Sequence, residues 1–291
     1  YQLLIQIVST KFKNQIKLQN NISLLATGSY GRGYLNPKSD IDLIILAKNK
    51  RNQNLIKIAE ETLYILWDNG FDANCTIRNE KNCISIINKK IEEKTILLDV
   101  RFLYGNKDLF LKTKKTIFEM FKTNIELFIE EEINEIDKRW KKFGDSTYIL
   151  EPNIKMMKGG IRDLNAIWWL GKIKYDISSY KDLLTNGEIT KEEWRILVTA
   201  FRFYDKVRNF IHLISNRKDE RLTYELQEEI SLKLNYRDTI ASLRVENFMR
   251  DYFRNASAIS YLAITLLERA SGKFAKLQKL SDLEEFENIG G

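Results

Sequence analysis

Two aspartates, Asp40 and Asp42, interrupt an otherwise apolar run (IDLIILA), and ten residues separate them from an upstream Gly28-Ser29 pair. In a strand, residues i and i+2 point to the same side, so the two carboxylates face one point in space. At roughly 5 Å and an effective dielectric of about 20, their repulsion is on the order of 3 kcal/mol, which a divalent cation would relieve. Aspartate is disfavoured inside strands, so two in one apolar run mark a site rather than a solvent face. Magnesium suits such an oxygen site, because it keeps some waters and completes its shell with substrate phosphates. Gly28 allows close backbone approach to a phosphate, and Ser29 offers a hydroxyl and an N–H. A helix starting there aims its positive end at the anion, with Arg32 adding charge. A pair of metal ions about 3.5 to 4 Å apart requires a third carboxylate; Asp99 is the first candidate and Asp72 the rival.

These residues need elements to hold them. β-rich runs at 23–27 and 41–47 flank the glycine and the aspartates,. Phe71 to Arg78 alternates apolar and polar residues, which predicts a half-buried strand,. Ile96, Leu98, Val100 and Phe102 alternate with Leu97, Asp99, Arg101 and Leu103, predicting a strand with Asp99 and Arg101 on its polar face,. After Gly105 the period becomes helical: over 108–143, in a run opening after Gly159-Gly160, from Thr190 with Glu193 completing a capping box, and over 222–234 and 242–272,. The expected fold is an α/β domain over 1–110, with a small mixed sheet and flanking helices. An all-α helical bundle follows over 111–275, and then a tail over 276–291. Lys155, Arg162 and Asp163 either face a nucleotide cleft or pack between the domains. Trp168 and Trp169, at helical spacing with Leu164, Ile167 and Leu170, read as core, as does His212. Arg202 and Arg208 read as a solvated face,.

The 291 residues suffice for two domains,. A formal charge of +7 suits an anionic partner, but 47 basic residues are nearly matched by 40 acidic ones, and no basic run resembles a nucleic-acid-binding arm,. Cys75 and Cys83, with one histidine, make neither a disulfide framework nor a zinc site, as expected of a cytoplasmic protein,. No apolar run reaches membrane-spanning length and no signal-peptide pattern opens the chain, so no membrane association is expected,. A first residue of Tyr and a weakly patterned end read as a fragment of something longer.

The stretch GSYGRGYLNPKSDIDL resembles the active-site signature of the polymerase-β-like nucleotidyltransferase superfamily. LWDNGFDANCTIRN, TILLDVRFLYGNKDLF, ILEPNIKMMKGGIRDLNAIWWL and RNFIHLISNRKDERLTYELQEEIS together resemble the bacterial PII uridylyltransferases over about residues 21–270. The resemblance implies a polymerase-β-like catalytic domain and transfer of UMP from UTP to a tyrosine of the nitrogen-regulatory PII protein, with two magnesium ions as cofactor. It implies Gly28 and Ser29 at the triphosphate, and Asp40, Asp42 and Asp99 as metal ligands. Arg32, Arg101, Lys155 and Arg162 join them as nucleotide-binding candidates. The hydrolase and ACT domains that follow in full-length members find no room within these residues. Three alternatives stay open: an adenylyltransferase acting on glutamine synthetase or another protein, since a relative of EPNIKMMKGGIRDL occurs there; a catalytically silent nucleotide-binding module; and a nucleic-acid-modifying transferase, for which no RNA-binding element is evident.

Overall fold

The computed structural model describes residues 21–49, 53–86, 89–240 and 242–271. The start of the expected first domain and the whole 276–291 tail lie outside the described residues. A four-stranded mixed sheet is built from β1 (Ile22–Thr27), β2 (Ile41–Ala47), β3 (Ala73–Arg78) and β4 (Arg101–Gly105), in the order β3-β2-β1-β4. β1 runs antiparallel to both β2 and β4, whereas β2 and β3 are parallel. Parallel neighbours need a crossover, and the amphipathic helix α2 (Gln53–Asp68) lies between β2 and β3 in the chain. The turn between β1 and β2 holds one short helix, α1 (Gly28–Arg32).

Both faces of the sheet are covered, which explains the nearly continuous apolar strands. Ile22, Leu24 and Ala26 of β1 and Ile41, Leu43 and Ile45 of β2 pack with Leu55, Ile58 and Leu66 of α2. The alternate residues Leu25, Ile44 and Leu46 join a larger core that continues through the helical part. That part comprises α3 (Glu80–Ile86), α4 (Ile91–Leu98), α5 (Lys107–Thr123), α6 (Ile125–Phe143), α7 (Ile161–Tyr175), α8 (Tyr180–Thr185), α9 (Lys191–Ser215), α10 (Tyr224–Lys233) and α11 (Arg244–Ala270). The expected boundary at 110/111 falls inside α5. The Thr190 and Glu193 capping box opens α9 as its spacing predicts.

The strand expected over Ile96–Leu103 is not formed as such. Residues up to Leu98 belong to α4, and the strand begins at Arg101. Ile91, Lys94, Thr95, Leu97 and Leu98 are the buried positions of α4; this three-to-four spacing is helical, and it outweighs an alternation confined to the last few residues.

Helix α7 is the centre of the helical part, with an almost continuously buried run from Asp163 to Gly171. It is entered through Gly159, whose φ is +75° and where a Cβ would stand 1.9 Å from the Ala256 carbonyl oxygen of α11. Only glycine permits both that backbone and that approach.

Beside α7, Glu132 on α6 is 2% exposed. Burial, reinforced by Glu135, pushes its carboxyl up to about 8, against the pull of Arg139 and Arg162. Between an ordinary value of 4.5 and about 8, the folded chain keeps this proton while the unfolded chain loses it, so stability falls as pH rises through that window and levels off above it. Glu132→Gln should therefore gain stability over the wild type between about pH 5 and 8 in thermal melts. Parallel profiles for the two proteins would contradict the burial argument.

Candidate active site

The site begins with strand register. Thr27, the last residue of β1, pairs with Asp42 of β2, so the next residue, Gly28, lies against the Asp42 side chain. Gly28 has φ +59°, and a Cβ there would come within 3.0 Å of Asp42 Oδ2. The glycine thus lets the α1 turn close directly over a carboxylate. Asp40 stands just before β2, and Asp42 is its second residue. On the other side, the parallel register sets Asn74 of β3 opposite Asp42, and its Nδ2 donates to Asp42 Oδ1 at 3.3 Å. Burial raises the Asp42 pKa; the bond from Asn74 and the charges of Lys218 and Lys155 lower it, and the charge of Asp40 raises it. The Lys218 ammonium already rests on Asp40 and lies 3.5 Å from Asp72. Two adjacent carboxylates, one of them paired to a cation, fit a hard divalent ion completed by phosphate oxygens.

Asp99 is not on a strand; it lines the same cleft as Asp40 and Asp42, with its carboxylate engaged by protein groups. It caps the C-terminus of α4, is 3% exposed, and pairs with the Arg32 guanidinium through Oδ2. Its Oδ1 accepts from the indole N–H groups of Trp168, at 3.1 Å, and Trp169, at 3.2 Å. Burial pushes its carboxyl up, and Arg32 with the two indoles pulls it down. Among the described residues, no three His, Cys, Asp or Glu side chains gather to hold a metal ion. The rival Asp72 has a side chain 73% exposed and, among the described residues, is paired only to Lys218.

Arg101 is likewise turned away from phosphate binding. Its guanidinium donates to the carbonyls of Tyr30, at 2.6 Å, and Gly31, at 3.0 Å, and lies over the Tyr30 ring, so it braces the C-terminal carbonyls of α1,. Asp163 is fully buried, accepting from the Gly159 N–H at 2.7 Å and from Arg139 at 2.8 Å; it caps and packs rather than facing the cleft.

The remaining sequence candidates do come together with Asp99. Gly28, Ser29, Arg32, Asp40, Asp42, Asp99, Lys155 and Arg162 line one open cleft between the sheet and the helical part. Lys155 lies 3.8 Å from Glu220, and burial lowers its pKa. Arg162 forms no side-chain hydrogen bond or ion pair among the described residues, and burial lowers its pKa too. Burial favours a neutral Glu220, but His212, Arg208 and Lys155 hold its carboxyl down to about 2.

Four cleft features escaped the sequence reading. Arg208 is 8% exposed and bound to Glu220 and Asn36, not solvated. Lys218 and Glu220 sit on an irregular loop where no periodicity could mark them; their only signal is their place in RNFIHLISNRKDERLTYELQEEIS. Asn165 follows Arg162 by three residues on α7 and so shares its face,. Trp168 and Trp169 are core, as expected, but their indole N–H groups also carry Asp99.

Residues 4–123 match the family model described as nucleotidyltransferase domain, and residues 127–267 match that of GlnD PII-uridylyltransferase. Three similar proteins are each named bifunctional uridylyltransferase/uridylyl-removing enzyme. The one from Novosphingobium aromaticivorans is 32% identical over 259 residues, which is 89% of this chain and 28% of the relative. Those from Ruegeria pomeroyi and Cereibacter sphaeroides are 36% and 34% identical over 88% of the chain, again covering 28% of each relative. The chain thus spans a little over a quarter of the length of these relatives. Among the described residues, no helix is long and apolar enough to cross a membrane.

The pairing of Asp99 has a consequence that needs no substrate. Asp99→Asn leaves Arg32, with a side chain 13% exposed, beside a neutral amide; breaking a buried pair in this way should cost about 3 kcal/mol in urea unfolding without metal. Unchanged metal-free stability would mean that Asp99 does not depend on Arg32.

Proposed function

We propose that the chain transfers UMP from UTP to a tyrosine of a PII signal protein, on the matches of residues 4–123 to the nucleotidyltransferase-domain model and of residues 127–267 to the GlnD PII-uridylyltransferase model. The relatives' names support uridylyl over adenylyl transfer. The observation that carries the reading is the meeting of the Asp40 and Asp42 carboxylates with Gly28, Ser29 and the cations Arg32, Lys155 and Arg162 in a single cleft.

In this reading the tyrosine oxygen attacks the α-phosphorus in line. An O–P bond forms, the bond to the β-phosphate oxygen breaks, the hydroxyl proton passes to solvent, and pyrophosphate leaves. Magnesium held by Asp40 and Asp42 would supply positive charge to the phosphate oxygens. Gly28 and Ser29 present the backbone and hydroxyl of the α1 turn to the triphosphate. Arg32, fixed by Asp99, meets its negative charge together with Arg162 and Lys155, whose backbones are bonded to each other at 3.0 Å,. Asp99 therefore acts as a positioning residue for Arg32. Catalysis in such a site is mainly electrostatic and geometric, so a lost metal ligand removes rate without removing the fold.

The test is to incubate the chain with magnesium, a PII protein and each α-labelled nucleoside triphosphate in turn, and to measure the acceptor's mass. The expected product is one uridylyl group on a tyrosine, from UTP alone. Asp42→Asn should keep the wild-type thermal transition, since it relieves repulsion with Asp40, and should lose transfer by at least about a thousandfold. A variant that still transfers, or a wild type that prefers ATP, would refute the assignment.

A further inference from the structure

Next to the cleft lies a second, smaller recess, which shares Ser29, Arg32, Ile161, Asn165 and Arg208 with it. Its walls are aromatic, contributed by Tyr34, Tyr180, Phe201 and Tyr204. Tyr34 and Phe201 meet edge to face at 4.8 Å, and Phe201 meets Tyr180 at 5.8 Å. The polar groups in these walls are mostly committed. Tyr180 Oη donates to the Leu164 carbonyl at 2.9 Å and Tyr204 Oη to the Gly159 carbonyl at 2.7 Å. Asn36 bonds Arg208 and Asp205, and Arg208 also holds Glu220. Asn165 differs: it is 6% exposed, it lines both the recess and the cleft, and its side-chain amide has no hydrogen-bond partner among the described residues.

Its amide, bonded to no described residue, is left to the solvent or ligand of the cavities it borders. A ligand that completes it offers an adjacent donor and acceptor, is flat enough to lie against aromatic rings, and is attached to something anionic at Arg32 and Ser29. We propose that the recess holds the nucleobase of the donor nucleotide, with Asn165 reading its edge. For uracil, the amide N–H₂ donates to O4 and the amide oxygen accepts from N3–H, while the aromatic wall that Tyr34 and Phe201 form packs against the base,. This rests on the nucleotidyl-transfer reading and deepens it: the cleft takes the triphosphate, and the recess selects the base.

The test measures binding to the full chain, in magnesium and without acceptor, of UTP, CTP and inorganic tripolyphosphate. Asn165→Ala should weaken UTP about tenfold or more and leave tripolyphosphate within about twofold, because one bidentate base contact is lost. Asn165→Asp, which can only accept, should weaken UTP and CTP alike, because each base sets one donor and one acceptor at that edge. Tyr34 is 43% exposed, so Tyr34→Ala keeps the fold and should also weaken UTP but not tripolyphosphate. Equal losses for UTP and tripolyphosphate, or UTP binding untouched by both the Asn165 and the Tyr34 changes, would overturn the base assignment while leaving the transferase reading intact. A wild type that binds neither ligand would overturn the transferase reading itself and the base assignment with it.

Discussion

A buried carboxylate ties the two halves of this molecule together. Asp99 ends a helix of the first half and receives the guanidinium of Arg32 from the β1–β2 turn and two indole N–H groups from α7. A lone buried carboxylate would be prohibitively costly; one that accepts a charge-assisted bond and two neutral ones is tolerable, provided all the donors stay in place. The energetic requirement is therefore also geometric. It holds α1 against α7 and so fixes the width of the cleft between the sheet and the helices. The same bond orients Arg32, which borders both the cleft and the aromatic recess.

A second constraint works at right angles to the first. The register that pairs Thr27 with Asp42 places the turn after β1 directly over the carboxylate on β2, and the parallel register sets Asn74 on its other side. Because side-chain direction has a period of two along a strand, slipping β2 by one residue would turn Asp42 into the core and bring Ile41 or Leu43 to the cleft. The apolar alternation of β1 and β2, buried on both faces, specifies that register. The packing of the sheet thus positions the chemistry with no further device.

Much of this was legible in the residues. Asp40, Asp42, Gly28 and Ser29 were found because local rules suffice for them: a two-residue strand period, the low strand propensity of aspartate, and a glycine before a helix start. The helices from Gly160 to Ala270 followed from their period and caps. Asp99 was set on a strand for one reason. Four alternating residues at a helix end look like a strand, and only tertiary contact shows that the carboxylate meets Arg32, sixty-seven positions away. Lys218 and Asn165 carried no local signal, since a loop lysine and a helical asparagine are ordinary until the cleft forms around them.

Arg162 shows how a violation of local rules can itself be informative. It is the second residue of α7, where the helix dipole disfavours a cation, it lies in a buried cleft, and its guanidinium has no anionic partner within bonding distance among the described residues,. Each of these features costs the fold something, and none is offset by packing that an apolar residue could not supply equally well. Three other cations of the cleft are matched: Arg32 by Asp99, Arg208 by Glu220, Lys218 by Asp40. A site built only for stability would have matched or removed Arg162 too. An anion bound at the start of α7 satisfies the dipole, the desolvated guanidinium and the burial at once, so the feature that is unfavourable in the free protein becomes favourable in the complex.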